Sequence, residues 1–497
     1  MDDVRVTIVV VPRERFSYTE RSLQNIYAHT TFPFKLIYVS AGTPPRVQQF
    51  LEQEALRRNF ELVSVAHYLA PNEARNLGLR AVKTPYVVFM DNDALVTPGW
   101  LDALVRCADE TAAEIVGPVY LEGEIRDVVR LERARIHMAG GKAHIEHENG
   151  ASILYDEHLL AGMPLVNHRA EIARGPRDYV EFHTLLARTD VFERLGPLDE
   201  QLLSVNEHID FCFDVRQAGG SVYMQPQAVT SYVAPPTACE WRDFAYFMLR
   251  WSELWNHASA SHFNRKHGLA GVRFFGDRSS LDEDTIVKFG RAQRRLMTGM
   301  RVSAAGSDGP DSPVQEAELM LALLHSVDRD SCDLTLANSE RVLKHEHAVP
   351  PRLLMQRLPR ILQEAGAMGH RVSIRPRRHG LPDEPLVLCV DDVDTVGLAK
   401  LQPHAFLTLA TGAQRYQCWL AVIVRAARGA TASRLLSPAP EIANPAASGV
   451  LLAGSRNRRQ GDEFEVRLSS AQMGLVSPLA QLEGKGLTPY LWNAQRF

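Results

Sequence analysis

The chain has 497 residues, 45% of them apolar and 23% charged, with a formal net charge of −4 at pH 7. That length exceeds what one core holds and predicts two or three domains, and the apolar share excludes disorder as the default. The charge balance lacks the basic excess of a non-specific nucleic-acid binder.

No run of about 18 apolar residues predicts a membrane span. The opening "MDDVRVTIVVVPRER" lacks the basic region and cleavage site of a signal peptide. The six cysteines stand singly, at 107, 212, 239, 332, 389 and 418. No Cys-x-x-Cys pair signals a zinc cage or a disulfide framework, so the expected setting is a reducing cytoplasm.

In chain order, strands alternate with helices. "VRVTIVVV" (4–11) is a β-branched run of the kind buried on both faces in a parallel sheet. "YTERSLQNIYAH" (18–29) has helical spacing, "FKLIYVS" (34–40) reads as a strand, and "PPRVQQFLEQEALRRN" (44–59) is a helix with proline near its start. "FELVSV" (60–65) is a third strand, "PNEARNLGLRAV" (71–82) a third helix, and "YVVFM" (86–90) a fourth strand. The alternation predicts an α/β fold built on a Rossmann-like, mostly parallel sheet. In such sheets ligands bind beyond the C-terminal strand ends, which is where Asp91-Asn92-Asp93 falls.

Two carboxylates at that mouth repel each other, and a cation between them and a ligand relieves the repulsion. Oxygen ligands suit Mg²⁺ or Mn²⁺, ions that commonly bridge a carboxylate to a diphosphate. The same triplet spacing recurs at Asp282/Asp284, Asp328/Asp330 and Asp392/Asp394, so by itself it reads equally as a solvated strand end or a helix cap. Its placement after a buried strand favours the functional reading.

"NEARNLGLRAVKTPYVVFMDNDALVTPGWLDAL" resembles the donor-binding stretch of family 2 glycosyltransferases with the GT-A fold. Two further blocks follow in the family's order, "VEFHTLLARTDVFERLGPLDEQL" (180–202) and "NEHIDFCFDVRQAGGSVYMQPQAV" (206–229). The resemblance implies an inverting, metal-dependent hexosyltransferase-type enzyme that uses a nucleoside-diphosphate sugar and a glycan or other hydroxyl acceptor. Carried over position by position, Asp91 and Asp93 are the nucleotide-sugar and metal positions. Arg75 is either a contact to the nucleotide or its phosphates, or a surface helix arginine.

The chain departs from the family pattern in three places. Where the family has Glu-Asp, this chain has Glu207-His208, so Glu207, Asp210 and His208 all remain candidates for the base. Glu207 and Asp210 are at i and i+3, one face of a helix; a glutamate that merely favours a helix N-terminus is the alternative. The second strand ends in Ser40-Ala41-Gly42 rather than in an acidic residue, and Tyr232 stands where the family often has a third, histidine ligand.

Residues 121–178 match no named pattern. His137, His144 and His147 lie there, and a polar acceptor loop is favoured over a metal site. Residues 241–267 read as an aromatic helix or helix pair that packs over the sheet or stacks on an acceptor sugar. "VSAAGSDGPDSP" (302–313) reads as a linker. The expected domains are 1–275 (GT-A), 276–313 (helix and linker) and 314–497.

In the last of these, residues 314–365 read as helical. The stretch after them resembles the primase domain of plasmid replication proteins, an α+β fold, at Arg375-Pro376, Asp391-Asp392-Val393-Asp394, Gln417-x-Trp419 and Gly454-Ser455-Arg456-Asn457-Arg458. The resemblance implies metal-holding carboxylates, or a degenerate domain kept for binding. It leaves a nucleic acid as a possible partner, with Arg456, Arg458 and Arg459 on a loop. The 21 Lys and Arg against 18 Asp and Glu in 314–497 predict weak, salt-sensitive binding. Two other function classes stand beside sugar transfer: a nucleic-acid enzyme acting through this half, and a scaffold with both sites decayed.

Overall fold

The computed structural model describes residues 4–125, 131, 133–234, 239–274, 283–303, 309–310, 312–338, 341–377, 384–424, 430–436, 450–459 and 462–497. The chain forms two compact units, Met1–Asp243 with Glu253–Arg291, and Phe244–Ser252 with Ala292–Phe497.

The first unit contains strands β1 (Val6–Val11), β2 (Phe34–Ala41), β3 (Glu61–Val65), β4 (Tyr86–Asp91), β5 (Ala94–Val96), β6 (Ile115–Glu122), β7 (Arg135–Met138), β8 (Gly141–Glu148), β9 (Ala151–His158), β10 (Gly175–Pro176), β11 (Thr184–Arg188) and β12 (Val222–Tyr232). Its first four helices are α1 (Thr19–His29), α2 (Pro45–Arg58), α3 (Pro71–Leu79) and α4 (Trp100–Thr111). The main sheet runs β10-β12-β6-β11-β4-β1-β2-β3. The β3-β2-β1-β4 half is parallel, as the alternation predicts. The sheet as a whole is mixed, because β11 lies antiparallel between β4 and β6.

β1 and β4 are apolar on both faces because both faces are covered. Val9, Val11, Val87 and Phe89 enter one core layer, and Val6, Ile8, Val10, Val88 and Met90 enter the other with Trp100 and Leu104 of α4. Register pairs Val11 with Asp91. The segment after β1 and the tip of β4 therefore emerge side by side.

Helix α3 explains its own motif. A Cβ on Gly78 would collide with Val9, so glycine lets the helix lie directly on β1. Asn76 receives the Leu198 N–H at 2.9 Å and donates to Leu198 O at 2.8 Å, while Asn72 donates to Asp199 O at 2.9 Å. The two asparagines thus hold the segment that leads to helix Glu207–Gln217.

The expected polar loop within 121–178 is instead largely β structure. β7 joins the main sheet, and β8 and β9 form a hairpin. Strand alternation sends His144 and His147 to opposite faces, which removes them as a ligand pair. His144 pairs with Glu146, and His147 with Ser152. The aromatic stretch 241–267 also differs from its expectation: Phe244–Ser252 belongs to the second unit, not to the sheet.

The second unit is α+β. One sheet is built around Leu386–Val393, Leu407–Gly412 and Arg415–Ile423, and a four-stranded sheet around Cys332–Ala337 and Arg371–Pro376. The expected helical stretch 314–365 is two helices, Pro313–Ser326 and Pro351–Met368, separated by the hairpin Cys332–Ala337 and Val342–Val349. Arg456–Arg459 is a strand paired with Asp462–Glu465 rather than a loop, and the side chains of Arg458 and Arg459 lie outside the described residues. The expected linker at 302–313 lies partly outside them.

The aspartates of the primase-like pattern differ in their surroundings. Asp391 and Asp392 are exposed. Asp394 caps the next helix by accepting the Gly397 N–H at 2.7 Å. Among the described residues no helix is long and apolar enough to cross a membrane, and all six cysteines are free thiols.

Candidate active site

Four segments of the first unit converge at the tip of β4. The turn after β1 brings Arg13, Glu14 and Arg15, α3 brings Arg75, the residues before β11 bring His183, and helix Glu207–Gln217 brings Glu207. Asn92 clips the first of these in place: its Oδ1 accepts from Arg13 N at 3.1 Å and its Nδ2 donates to Arg15 O at 2.6 Å. Asn92 is thus the structural member of the triplet, between two charged ones.

Asp91 and Asp93 are both fully buried, yet their surroundings differ. Asp91 Oδ1 accepts from Arg75 at 3.2 Å; its Oδ2 is 2.9 Å from His183 Nδ1 and 3.3 Å from Arg13 Nε. Burial alone would raise its pKa, but Arg13, the His183 hydrogen bond and Arg75 together hold it below the usual carboxylate range. Neither oxygen of Asp93 has a hydrogen-bond partner among the described residues, and Arg15 Nε stands 3.6 Å off. Burial raises the Asp93 carboxyl, repulsion from Glu14 and Asp91 adds to the rise, and Arg15 only partly offsets it.

Arg75 is fully buried, which overturns the surface-arginine alternative. Its guanidinium lies 3.9 Å from the Phe182 ring centroid and bonds Asn72 Oδ1 at 3.0 Å. Glu207 Oε1 is 3.5 Å from Arg13 and 3.8 Å from Arg75, so Glu207 belongs to the same cluster. Asp210 does not. Its oxygens are each 2.8 Å from a side chain of the helix Glu253–His267, His267 Nε2 and Lys266 Nζ. His208 faces Glu181 and His158 rather than Asp91. Burial lowers its pKa to about 4, so it is neutral near pH 7. Tyr232, at the family's third-ligand position, donates to Glu14 Oε2 at 2.9 Å and stacks on His183 with centroids 4.1 Å apart.

The Arg13-Glu14-Arg15 segment carries two of the cluster's three arginines and was not singled out in the sequence. A charged turn after a strand ordinarily reads as solvated. The available signal was its position, directly beside the tip of β4.

Residues 7–154 match the family model described as Glycosyl transferase family 2. The N-terminal region carries a glycosyltransferase family 2 domain. Among curated proteins, the chain is 24% identical over 230 residues to the pre-mycofactocin glycosyltransferase of Mycobacterium tuberculosis (strain ATCC 25618 / H37Rv), covering 46% of this chain and 42% of that protein. It is 27% identical over 114 residues to the uncharacterized glycosyltransferase EpsJ of Bacillus subtilis (strain 168), covering 22% and 33%. The chain thus spans less than half the length of these curated relatives.

Among solved structures, the chain is similar to GalNAc-T7 with UDP, GalNAc and Mn²⁺, at 13% identity and a TM-score of 0.37 over 60% of this chain and 56% of that one. It is also similar to the mannosyltransferase PcManGT from Pyrobaculum calidifontis in complex with GDP-Man and Mn²⁺, at 16% identity and a TM-score of 0.35 over 61% and 76%. The family match places β1 to β4, and with them Arg13, Arg75, Asp91 and Asp93, inside the glycosyltransferase domain. Glu207 lies beyond the matched residues.

Proposed function

We propose that the N-terminal unit transfers a sugar, with inversion, from a nucleoside-diphosphate sugar to an acceptor hydroxyl. The observation that carries this reading is the buried Asp93 carboxylate just past β4, which receives no hydrogen bond among the described residues and lies inside the matched domain. Arg13, Arg15 and Arg75 face Glu14, Asp91, Asp93 and Glu207, which leaves one negative charge in excess among these seven groups. A hard divalent cation, Mg²⁺ or Mn²⁺, fits that excess, with Asp93 as its direct protein ligand and donor oxygens completing the shell. When bound, the ion stabilises the charge that builds on the departing diphosphate.

Asp91 is a positioning residue in this scheme. Its oxygens are already engaged by Arg75, Arg13 and His183, and it holds those cations around the donor site. Arg13, whose side chain is 15% exposed, is the guanidinium placed to reach a diphosphate oxygen. Glu207 is assigned as the base over Asp210 and His208 because it shares the cluster with Asp91, 3.5 Å from Arg13 and 3.8 Å from Arg75. It takes the acceptor proton as the hydroxyl oxygen bonds the anomeric carbon. The bond from that carbon to the diphosphate breaks, and its electron pair leaves with the diphosphate.

The test is to incubate the full chain with a panel of nucleoside-diphosphate sugars and follow release of the nucleoside diphosphate, with and without chelator. The account expects at least one donor to be turned over, and turnover to stop in chelator. No turnover of any donor, or turnover indifferent to chelator, would overturn it. The same experiment addresses the alternative in which only the second unit is active, since that reading predicts no donor turnover.

A further inference from the structure

Behind the Asp91–His183 contact, four histidines gather on one buried glutamate. Glu181 Oε2 lies 3.1 Å from His137 Nε2 and 3.2 Å from His183 Nε2, and its Oε1 lies 3.6 Å from His158 Nε2. The ligating atoms of His137, Glu181 and His183 all lie within 4.8 Å of one another, and so do those of His158, Glu181 and His208. His208 Nε2 is buried and makes no hydrogen bond among the described residues. These side chains come from β7, the end of β9, the residues before β11 and the helix Glu207–Gln217. A chance surface cluster would not draw on four separate elements.

The proton count is the difficulty that this arrangement poses. His183 stands between two carboxylates, with Nδ1 2.9 Å from Asp91 and Nε2 3.2 Å from Glu181. A neutral imidazole has one N–H, so one of those contacts sets a lone pair against a carboxylate oxygen. His137 differs: it lies between Glu181 at 3.1 Å and Glu122 at 3.5 Å, and although burial lowers its pKa these two carboxylates raise it to about 10, so as an imidazolium it serves both with its N–H groups. A cation between the two Nε2 atoms and Glu181 Oε2 turns the opposed lone pair of His183 into a ligand and takes the place of the His137 Nε2 proton. Tetrahedral zinc with bonds of about 2.0–2.1 Å places its ligand atoms roughly 3.4 Å apart, close to the 3.1 and 3.2 Å that separate Glu181 Oε2 from the two histidine nitrogens.

We propose that Glu181, His137 and His183 hold a divalent transition-metal ion of the zinc class, separate from the oxygen-bound cation at Asp93. Imidazole donors select zinc over magnesium. His158 is the nearest further imidazole on the Glu181 carboxylate. With Nε2 on the ion, His183 carries its proton on Nδ1 and donates it to Asp91, the usual arrangement of a metal-bound histidine and an outer carboxylate. The ion thereby fixes the orientation of Asp91 from behind. None of this depends on sugar transfer.

The experiment uses the full chain without a polyhistidine tag, stripped with chelator, dialysed and titrated with Zn²⁺ by calorimetry and with Co²⁺ by visible absorption. One equivalent of zinc should bind, and cobalt should give the intense bands of a tetrahedral nitrogen–oxygen site. His137→Gln and Glu181→Gln should each weaken zinc binding at least ~100-fold. His144→Ala, which alters an exposed hairpin histidine, should not change it, nor should Asp93→Asn. Wild-type protein that binds no stoichiometric zinc, or a cobalt spectrum without tetrahedral bands, would overturn the proposal whether or not the variants fold. So would zinc binding unchanged in both His137→Gln and Glu181→Gln.

Discussion

At the scale of single residues, the two aspartates of one triplet should respond to mutation with opposite sign. Asp91→Asn leaves Arg75 and Arg13 buried against a neutral group, and breaking a buried pair of this kind costs about 3–5 kcal/mol. Asp93→Asn removes a buried carboxylate that receives no hydrogen bond, so in metal-free protein near pH 8 it should stabilise the fold, by ~1 kcal/mol. Chemical denaturation of both variants checks the signs. The pH dependence follows from the same burial. The folded-state pKa of Asp93 is raised above its unfolded value, so its contribution is favourable while it stays protonated, below the ordinary carboxylate range. That contribution is lost as pH rises from that range through the raised value. Melting temperature measured against pH in chelator should show this decline in wild type and a flatter profile in Asp93→Asn.

The base assignment is tested at the same scale. Glu207→Gln should lower turnover roughly 100-fold while donor affinity, measured by calorimetry, holds. Asp210→Asn should act instead on stability, because Lys266 and His267 lose their shared carboxylate.

At the scale of elements, α3 shows what its motif is for. Asn76→Ala removes the partners of both the Leu198 N–H and its carbonyl in a buried setting, and should cost about 2–4 kcal/mol in urea denaturation. The elements up to β4 were legible in the sequence because β1 and β4 are β-branched, apolar on both faces, and separated by helices of ordinary period. The β8–β9 hairpin was not legible. Its first strand exposes His144 and Glu146 on one face and Ile145 and His147 on the other, so no apolar alternation marks it. The hairpin Cys332–Val349 was hidden between two genuine helices, its second strand rich in lysine, histidine and glutamate. Of the site, Asp91 and Asp93 were readable from their place after a buried strand, and Arg75 and Glu207 from the family resemblance. Glu181, His183 and the Arg13–Arg15 turn were not, because their grouping depends on which strand ends become neighbours across the sheet.

At the scale of the whole chain, the boundary between the two units is crossed by a short segment. Phe244–Ser252 belongs with residues 292–497, although the chain then returns to the first unit for Glu253–Arg291. Phe244, Tyr246, Phe247, Met248 and Leu249 are all buried. At about 1.5–3 kcal/mol per large apolar side chain, losing them would remove most of the ~5–15 kcal/mol that holds a typical domain together. A fragment of residues 292–497 should therefore fail to give a cooperative thermal transition, whereas one of residues 244–497 should show it.

The central claim is that Asp93 holds a divalent cation against a nucleoside diphosphate, and Mn²⁺ binding measured by electron paramagnetic resonance tests it most directly. The full chain, with the histidine cluster first saturated with Zn²⁺, is titrated with Mn²⁺ in the presence of UDP or GDP, as wild type and as Asp93→Asn. The account predicts nucleotide-dependent Mn²⁺ binding in wild type, weakened at least tenfold in the variant. Equal Mn²⁺ affinity in the two proteins, or no nucleotide-dependent binding in wild type, would contradict it.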